Sequence, residues 1–261
     1  MDKKKVLYIC KEKLSLRREA YYGQGWEWRA PLPFLADKDE KQKTITMPVY
    51  PSEQQRTDVR NNVITTAAEM FRQLGIRNVT MDDIAHRLTM SKRTLYQLFA
   101  DKEELLLACC KQHDQESCEQ LGEMVKSFDN VLEFLLTMFS IKLKELSKTT
   151  PSFWCDIYKY PRVAEYIEQQ KRQQEQEAVG FLQKGIEQGV FREDVNFQIV
   201  VYQLNAGMNI MVRSEFLERF SQVEVFFNTI IAYIRGCSTH KGIDMIDDFL
   251  AQHHFVEKTS L

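Results

Sequence analysis

The sequence lacks the segments that carry a chain to or across a membrane. It contains no apolar run near the roughly 18 residues that span a bilayer. Lys3, Lys4 and Lys5 precede an apolar stretch of only five residues, whereas a secretory signal needs about 7–15. We therefore expect a cytoplasmic protein without a membrane partner.

Cysteine occurs only six times and without the spacing of a disulfide framework. No two cysteines form a CxxC pair, so in a chain of 261 residues they are typical of reduced thiols. On a helix Cys110 and His113 would share a face at positions i and i+3, but Cys109 points elsewhere and no carboxylate completes a ligand set. The sequence thus predicts neither a metal site nor a cofactor.

The marks of a catalytic centre are also missing. There is no Gly-rich phosphate loop, no nucleophile beside a base and no cleft with paired carboxylates. Asp82, Asp83 and His86 lie near one another on a predicted helix, as an acid–base pair would, but Asp83 is already explained as a helix-capping residue. We expect no enzymatic activity.

No segment has the pattern of a β-strand, and apolar residues recur instead at helical spacing from Asp58 onward. Pro151 interrupts the helical pattern, and Gly236 is expected to end the penultimate helix. The helices predicted in the C-terminal part of the chain are 131–146, 161 to about 188, 197–212, 223–234 and about 243–251. The predicted fold class is all-α, with a three-helix helix-turn-helix domain followed by a larger helical domain.

Charge is unevenly distributed, although the net charge is only −2. Residues 1–55 and 56–102 each carry a balance of +3, which leaves −8 for residues 103–261. A basic front and an acidic remainder favour contact with a polyanion at one end only.

Three helices are predicted within the basic segment 56–102. Gly75 can end the first helix in a left-handed conformation. Thr80 and Asp83 form a capping box at the start of the second, and Ser91 can cap the third. The second and third helices, joined by a short turn, make a helix-turn-helix.

The start of the third helix is the expected point of contact with DNA. Lys92 and Arg93 can reach guanine O6 and N7 or the flanking phosphates in the major groove. Thr94 offers a hydroxyl to phosphate or a methyl to thymine, Tyr96 a hydroxyl to the backbone, and Gln97 an amide to adenine. Each of these residues alone also fits the polar face of a small helix. Only their combination is a specific indication of DNA binding.

Helix termini supply further candidates for phosphate contact. Thr80 opens the second helix, and Lys102 opens a fourth helix that Asp101 can cap. The acidic Glu103 and Glu104 follow in the first turn, where the helix dipole favours them. This fourth helix is expected to join the DNA-binding domain to the rest of the protein.

These residues resemble the tetracycline-repressor (TetR) family. The resemblance covers about 50 residues and is carried by Arg60, Ile64, Ala67, Ala68, Phe71, Gly75, Thr80, Ile84, Ala85, 90–96, Phe99 and 101–106. A later segment, 184–194 (KGIEQGVFRED), is also similar to one common in that family. The family usually has Gly where this chain has Thr89, and a β-branched residue disfavours positive φ, so we expect a strained or differently built turn.

The resemblance implies a DNA-binding regulator that acts on a palindromic site. The expected DNA-contacting residues are Arg60, Thr80, Ser91, Lys92, Arg93, Thr94, Tyr96, Gln97 and Lys102. It also implies a homodimer that pairs through the last two core helices, about 196–216 and 221–235, which would space two recognition helices about 35 Å apart. These helices carry more apolar surface than one helix hides, namely Phe197, Val200, Val201, Leu204, Met208, Met211, Val223, Phe226, Phe227, Ile230 and Ile234.

The family resemblance further implies a repressor released from DNA by an effector. A small apolar or aromatic molecule of unknown identity would bind the C-terminal domain. Its candidate lining residues are Phe134, Met138, Phe139, Phe153, Trp154, Tyr158, Tyr166 and Met208. The alternative is a dimeric DNA-binding protein that recruits a protein partner and has no effector, which the absence of an internal cavity would favour.

The sequence predicts four segments in order. They are a poorly ordered or loosely docked N-terminal extension (1–55), a helix-turn-helix domain (56–104), an effector-binding and dimerisation domain (105–240) and a tail with a short amphipathic helix (241–261). Translation starting at Met47 and a native N-terminal arm are both compatible with the first segment.

Overall fold

Helices make up the architecture that the computed structural model describes, which covers residues 53–211 (backbone only for 208–211), 217 and 219–253. Within these ranges there is no strand, and a single isolated β-bridge joins Phe191 to Ser238. The ten helices are α1 (Glu53–Leu74), α2 (Met81–Arg87), α3 (Lys92–Leu98), α4 (Lys102–Met124), α5 (Val131–Ser147), α6 (Pro151–Ile157), α7 (Pro161–Glu187), α8 (Phe197–Met211), α9 (Gln222–Cys237) and α10 (His240–Gln252). The predicted all-α fold class is confirmed. None of these helices combines the length and apolar character that crossing a bilayer requires.

The predicted helix caps are present. At the start of α2 the side chain of Thr80 accepts a hydrogen bond from the backbone N–H of Asp83, and the Asp83 carboxylate accepts one from the backbone N–H of Thr80. The side chains of Ser91 and Asp101 accept the equivalent backbone bonds at the starts of α3 and α4. Gly75 follows α1 with φ of 84°, in the left-handed region.

Helix α1 begins at Glu53, earlier than the predicted Asp58. Its first turns are polar and exposed, so no apolar periodicity marks them. Side chains support these turns instead: Gln54 Nε2 donates to Asp58 Oδ1 at 3.0 Å, and Thr57 Oγ1 donates to the Glu53 carbonyl at 3.0 Å.

Two predictions near the C-terminus are wrong in detail. Gly236 does not end α9, which continues to Cys237. Only Gly75 and Gly189 among the described glycines have positive φ, so Gly236 keeps a conformation that lets the helix continue. Helix α10 starts at His240, ahead of the predicted start, because a threonine caps it there.

The buried side chains form two separate cores. The N-terminal core consists of residues from α1 to α4 together with Ile157 and Val163, which come from the α6–α7 corner. The C-terminal core consists of residues from α5, α8, α9 and α10 together with Val190 and Phe191. The α6–α7 corner therefore packs with the helix-turn-helix, although it lies far along the chain.

Polar contacts fix this corner to the end of α1. The backbone N–H of Thr150 donates to the carbonyl oxygen of Arg72 at 2.8 Å. Asp156 is buried, accepts a bond from the backbone N–H of Arg77 at 3.3 Å, and pairs with Lys159 Nζ at 2.7 Å. The corner is thus held by directional bonds as well as by apolar packing.

A second polar connection joins the starts of α7 and α4. Nη2 of Arg162 donates to both carboxylate oxygens of Asp101 at 2.7 Å. The backbone N–H of Arg162 donates to Glu103 Oε1 at 2.7 Å. The side-chain Nε of Arg162 lies 3.2 Å from Glu103 Oε2. Because Asp101 is also the cap of α4, this contact ties the orientation of α4 to α7.

Candidate DNA interface

The helix-turn-helix is closed by a turn in which Thr89 has a φ of 53°. The Thr89 N–H donates to the His86 carbonyl at 3.1 Å, and the Met90 N–H donates to the Ala85 carbonyl at 3.0 Å. The turn thus keeps the left-handed conformation that glycine would adopt, and a β-branched residue adopts it at a cost in energy. Of the two alternatives expected from the sequence, a strained turn or a differently built one, the positive φ of Thr89 agrees with the first.

The polar residues of α3 share its outer surface. Leu95 is fully buried and Leu98 is half-buried against the N-terminal core, which fixes the rotation of the helix. The residues left exposed on and just before α3 are Ser91, Lys92, Arg93, Thr94, Tyr96 and Gln97. This rotation presents a mixed cationic and hydroxyl-bearing surface to the solvent.

The hydroxyls at the starts of α2 and α3 have partners within the protein. The Thr80 hydroxyl donates to Asp83 Oδ2 at 2.6 Å, and the hydrogen bonds from Thr80 hold the pKa of that carboxyl below its usual value. The hydroxyls of Ser91 and Thr94 lie 2.8 Å apart. A phosphate at either helix start would have to compete with these bonds.

The two cations at the start of α3 differ in their surroundings. Lys92 Nζ lies 2.5 Å from Asp82 Oδ2, and this hydrogen bond and the carboxylate charge raise the pKa of Lys92. Among the residues that the structure describes, Arg93 has no ion-pair partner. The sequence alone indicates Asp82 only as part of a catalytic pair, because no spacing rule links residues ten positions apart across a turn.

The remaining cations of the predicted set lie over aromatic rings. The Arg60 guanidinium is 4.8 Å from the centroid of the Phe99 ring, and Lys102 Nζ is 5.8 Å from that of Phe71. Burial lowers the pKa of Lys102, while the nearby charge of Asp156 opposes that shift. Both cations therefore help to cover the N-terminal core.

Four of the predicted effector residues are divided between the two cores, Phe153 and Tyr158 in the N-terminal one and Phe139 and Trp154 in the C-terminal one. Phe153 packs against the N-terminal core and Trp154 against the C-terminal core, and their rings meet edge to face at 5.1 Å. Phe139 is buried and stacks on Phe226 at 5.7 Å, while Phe134 contacts other rings. Phe153 and Trp154 are thus two candidates in direct ring contact, one from each core.

The other effector candidates have separate surroundings. The hydroxyl of Tyr158 accepts a bond from Lys171 Nζ at 2.8 Å, and that of Tyr166 donates to Asp114 Oδ2 at 2.7 Å. Met138 is half-buried, and the side chain of Met208 lies outside the described residues. Neither of two open depressions formed by described residues is lined by a candidate whose side chain the structure describes.

Helices α8 and α9 bury part of the predicted dimer surface within the subunit. Phe197 and Phe226 are buried in the C-terminal core. The residues left half-buried are Val200, Val201, Leu204, Val223, Phe227, Ile230 and Ile234, and the side chain of Met211 lies outside the described part of the chain.

The outer surface of α8 exposes two large apolar residues that the sequence analysis did not select. Ile199 is 55% exposed and Tyr202 is 70% exposed. They lie three positions apart, so they share one side of the helix. Nearby, an open apolar depression of about 410 Å³ is lined by Val195, Val200, Ala232, Tyr233, Gly236 and Cys237.

The adjacent thiols on α4 behave as small buried side chains. The Cys109 thiol donates to the Ile64 carbonyl at 3.4 Å, and burial raises its pKa. Burial also raises the pKa of Cys110, to about 12. Both thiols are therefore protonated at neutral pH, the unreactive form.

A helix-turn-helix with an exposed basic second helix, carried on a larger helical body, defines a DNA-binding transcriptional regulator. Residues 63–109 match the sequence profile of the bacterial regulatory proteins of the tetR family. The HTH-type transcriptional repressor KstR2 of Mycobacterium tuberculosis is 31% identical over 147 residues, which cover 54% of this chain and 73% of that protein. The chain belongs to the TetR family, whose members are transcriptional regulators and not enzymes.

Solved structures share the fold at lower identity. A transcriptional regulator from Saccharomonospora viridis in complex with choline is 18% identical, with a TM-score of 0.59, over 70% of this chain and 100% of that chain. A TetR-family regulator from Agrobacterium tumefaciens is 15% identical, with the same TM-score of 0.59 and the same coverage of 70% and 100%. At these identities the likeness concerns the fold alone.

Proposed function

We propose that this chain is a cytoplasmic, homodimeric repressor that binds a palindromic operator through α3 and is released by a small apolar or aromatic effector. The observation that carries the proposal is the exposed surface of α3, where cationic, hydroxyl and amide groups stand together on a helix fixed by buried Leu95. TetR regulators bind DNA and act as dimers, and the relative from M. tuberculosis is named a repressor.

Arg93 is the residue to which we assign the main base contact. It stands at the second position of α3, is exposed, and has no ion-pair partner in the part of the chain that the structure describes. A guanidinium at this position can bind guanine O6 and N7 with two donors. Ser91, Thr94, Tyr96 and Gln97 would surround it with contacts to phosphate and to neighbouring bases.

The outer surface of α8 supports the assignment of the dimer interface. Ile199 and Tyr202 are large and largely exposed, and an apolar depression adjoins them. Exposed apolar surface of this kind, next to half-buried Val201 and Leu204, favours pairing with the same surface of a second subunit. The twofold symmetry of that pair would match a palindromic operator.

Helix α6 supports the assignment of an effector switch. It is shared by the two cores, since Phe153 packs with the helix-turn-helix and Trp154 with the C-terminal helices. A molecule that displaced Trp154 would act on the neighbouring Phe153 and on the α6–α7 corner, which is hydrogen-bonded to the end of α1. Effector binding could thereby change the orientation of α3.

A protein partner in place of an effector is the second candidate function. It is favoured by the separation of four effector candidates, since Phe153 and Tyr158 pack with the N-terminal core and Phe139 and Trp154 with the C-terminal core. The two functions differ in whether a small molecule lowers DNA affinity.

Fluorescence anisotropy on duplexes tiled across the DNA upstream of the gene tests the DNA-binding proposal. We expect tight binding to one palindromic duplex that survives competition by random DNA. Replacing Lys92 and Arg93 together with Ala should abolish that binding without unfolding the protein, because both side chains are exposed. The charge-matched control is replacement of exposed Lys144 and Lys148, at the end of α5, by Ala.

The outcomes separate the proposals. Retained sequence-specific binding by the folded double variant would overturn the assignment of α3 as the recognition helix. Once the operator duplex is known, a library of apolar and aromatic metabolites can be added to the complex. A saturable fall in anisotropy supports the effector switch, whereas no fall with any compound favours the partner-recruiting function.

A further inference from the structure

The pair formed by Asp82 and Lys92 lies at the centre of the candidate DNA interface. Asp82 is in the first turn of α2, Lys92 is the first residue of α3, and their charged groups are 2.5 Å apart. We propose that Asp82 determines specificity by positioning Lys92, which keeps the lysine from binding the phosphates of unrelated DNA. This inference rests on the proposed function of α3 as the recognition helix.

The chemistry of the lysine explains why it needs positioning. Its ammonium ends a flexible four-carbon stem and is a point charge without the fixed geometry of a guanidinium. An unrestrained lysine at the edge of the major groove binds whichever phosphate is nearest, and such contacts carry no sequence information. Asp82 accepts one of the three ammonium donors, which leaves two for a base edge.

The carboxylate also acts by its own charge. The side chain of Asp82 is 53% exposed, on the same side of the domain as Lys92, which is 66% exposed. When the pair is intact the two charges cancel at this point of the surface, so Lys92 does not add to the counterion release that drives non-specific binding. Arg93, next along the helix, keeps its charge for DNA.

On the operator the pair stays closed, because the two ammonium donors that Asp82 leaves free can face a base edge. On the operator, the contacts of the neighbouring residues fix α3 in register, and the positioned ammonium adds a base contact. On random DNA no such register exists. Lys92 can contact a phosphate there only by leaving Asp82, and no base contact offsets the loss of the ion pair. Asp82 thus weakens binding to random DNA more than binding to the operator.

The test compares the wild-type chain with Asp82→Asn on random duplex DNA across a range of salt concentrations. Freed from the carboxylate, Lys92 should bind one more phosphate, so the slope of log K against log salt should steepen by about 0.9. Asp248→Asn is the control for net charge, since Asp248 is an exposed acid on α10, and its slope should equal that of the wild type. Equal slopes for the wild type and Asp82→Asn would overturn the proposal.

A second arm measures specificity on the operator duplex. The ratio of operator affinity to random-DNA affinity should fall roughly tenfold in Asp82→Asn, within the range expected for one base contact. In a Lys92→Met background the same change should leave the ratio unaltered, which a purely structural role of Asp82 would not predict. An undiminished ratio in Asp82→Asn, or an equal fall in the Met background, would refute the positioning role.

The two arms also separate this inference from the proposed function. If the wild type binds no duplex specifically, the proposed function fails, while the salt slopes on random DNA still decide whether Asp82 restrains Lys92. Circular dichroism of each variant shows that it is folded, which is expected because both side chains are exposed.

Discussion

The turn at Thr89 provides a direct test of backbone strain in the helix-turn-helix. Thr89 has a φ of 53° and an exposed side chain, so a substitution there changes the backbone energy and little else. For an L-residue the left-handed region costs about 1–2 kcal/mol. Glycine avoids that cost. It also lowers the stability of the folded state by about 0.4–1 kcal/mol, because it increases the conformational entropy of the unfolded chain.

The balance predicts that Thr89→Gly stabilises the protein by roughly 0.5–1 kcal/mol. In a chain of this size each kcal/mol raises Tm by about 2–4 °C. Thermal unfolding followed by circular dichroism, supported by urea titration, measures the change. Operator affinity should remain within twofold, because the turn itself holds none of the proposed base contacts.

Two further substitutions at the same position separate strain from side-chain loss. Thr89→Asn should stabilise the chain partially, since asparagine adopts positive φ more readily than other L-residues. Thr89→Ala should give no stabilisation, because alanine removes the β-branch but keeps the Cβ that opposes positive φ. If alanine stabilised the protein as much as glycine, the strain would not lie in the backbone and the argument would be refuted.

Two other predictions concern packing and assembly. Asp156→Ala should lower the free energy of unfolding by about 1–3 kcal/mol, because it removes the acceptor of the hydrogen bond from the Arg77 N–H. Asp156→Asn, which keeps an acceptor, is the control. An equal loss of stability in both variants would contradict the role of that bond. Replacing both Ile199 and Tyr202 by Asp should convert dimers into folded monomers, because it places charge in the proposed interface. Sedimentation velocity measures the oligomeric state. An unchanged dimer would exclude that surface as the interface.

Local features of the fold could be predicted from the sequence because they depend on neighbouring residues. The capping box of Thr80 and Asp83, the caps at Ser91 and Asp101, and the left-handed Gly75 each need only a few adjacent positions, and all are present. The start of α1 was missed because its first turns are polar, and helical periodicity is visible only where one face is apolar.

Features that depend on tertiary packing could not be predicted in the same way. The burial of the α6–α7 corner in the N-terminal core joins Val163 to helices some hundred positions earlier in the sequence, and no periodicity records such a contact. The exposure of Ile199 and Tyr202 depends on how α8 is rotated against its neighbours. An apolar residue on an amphipathic helix is assigned to the core by default, so outward-facing residues are found only in the structure.

Two residues of the helix-turn-helix that work against their surroundings lie beside the proposed DNA contacts. Thr89 keeps a backbone conformation that glycine would hold at less cost, and Asp82 places a negative charge on a surface that is proposed to meet phosphate. The charge of Asp82 suits the start of α2 but opposes the approach of DNA, as the Cβ of Thr89 opposes the backbone conformation of its turn. Local rules are broken most often at functional sites, where another requirement outweighs stability. For Asp82 that requirement is the positioning of Lys92, and the salt dependence of Asp82→Asn on random DNA decides whether this explanation is correct.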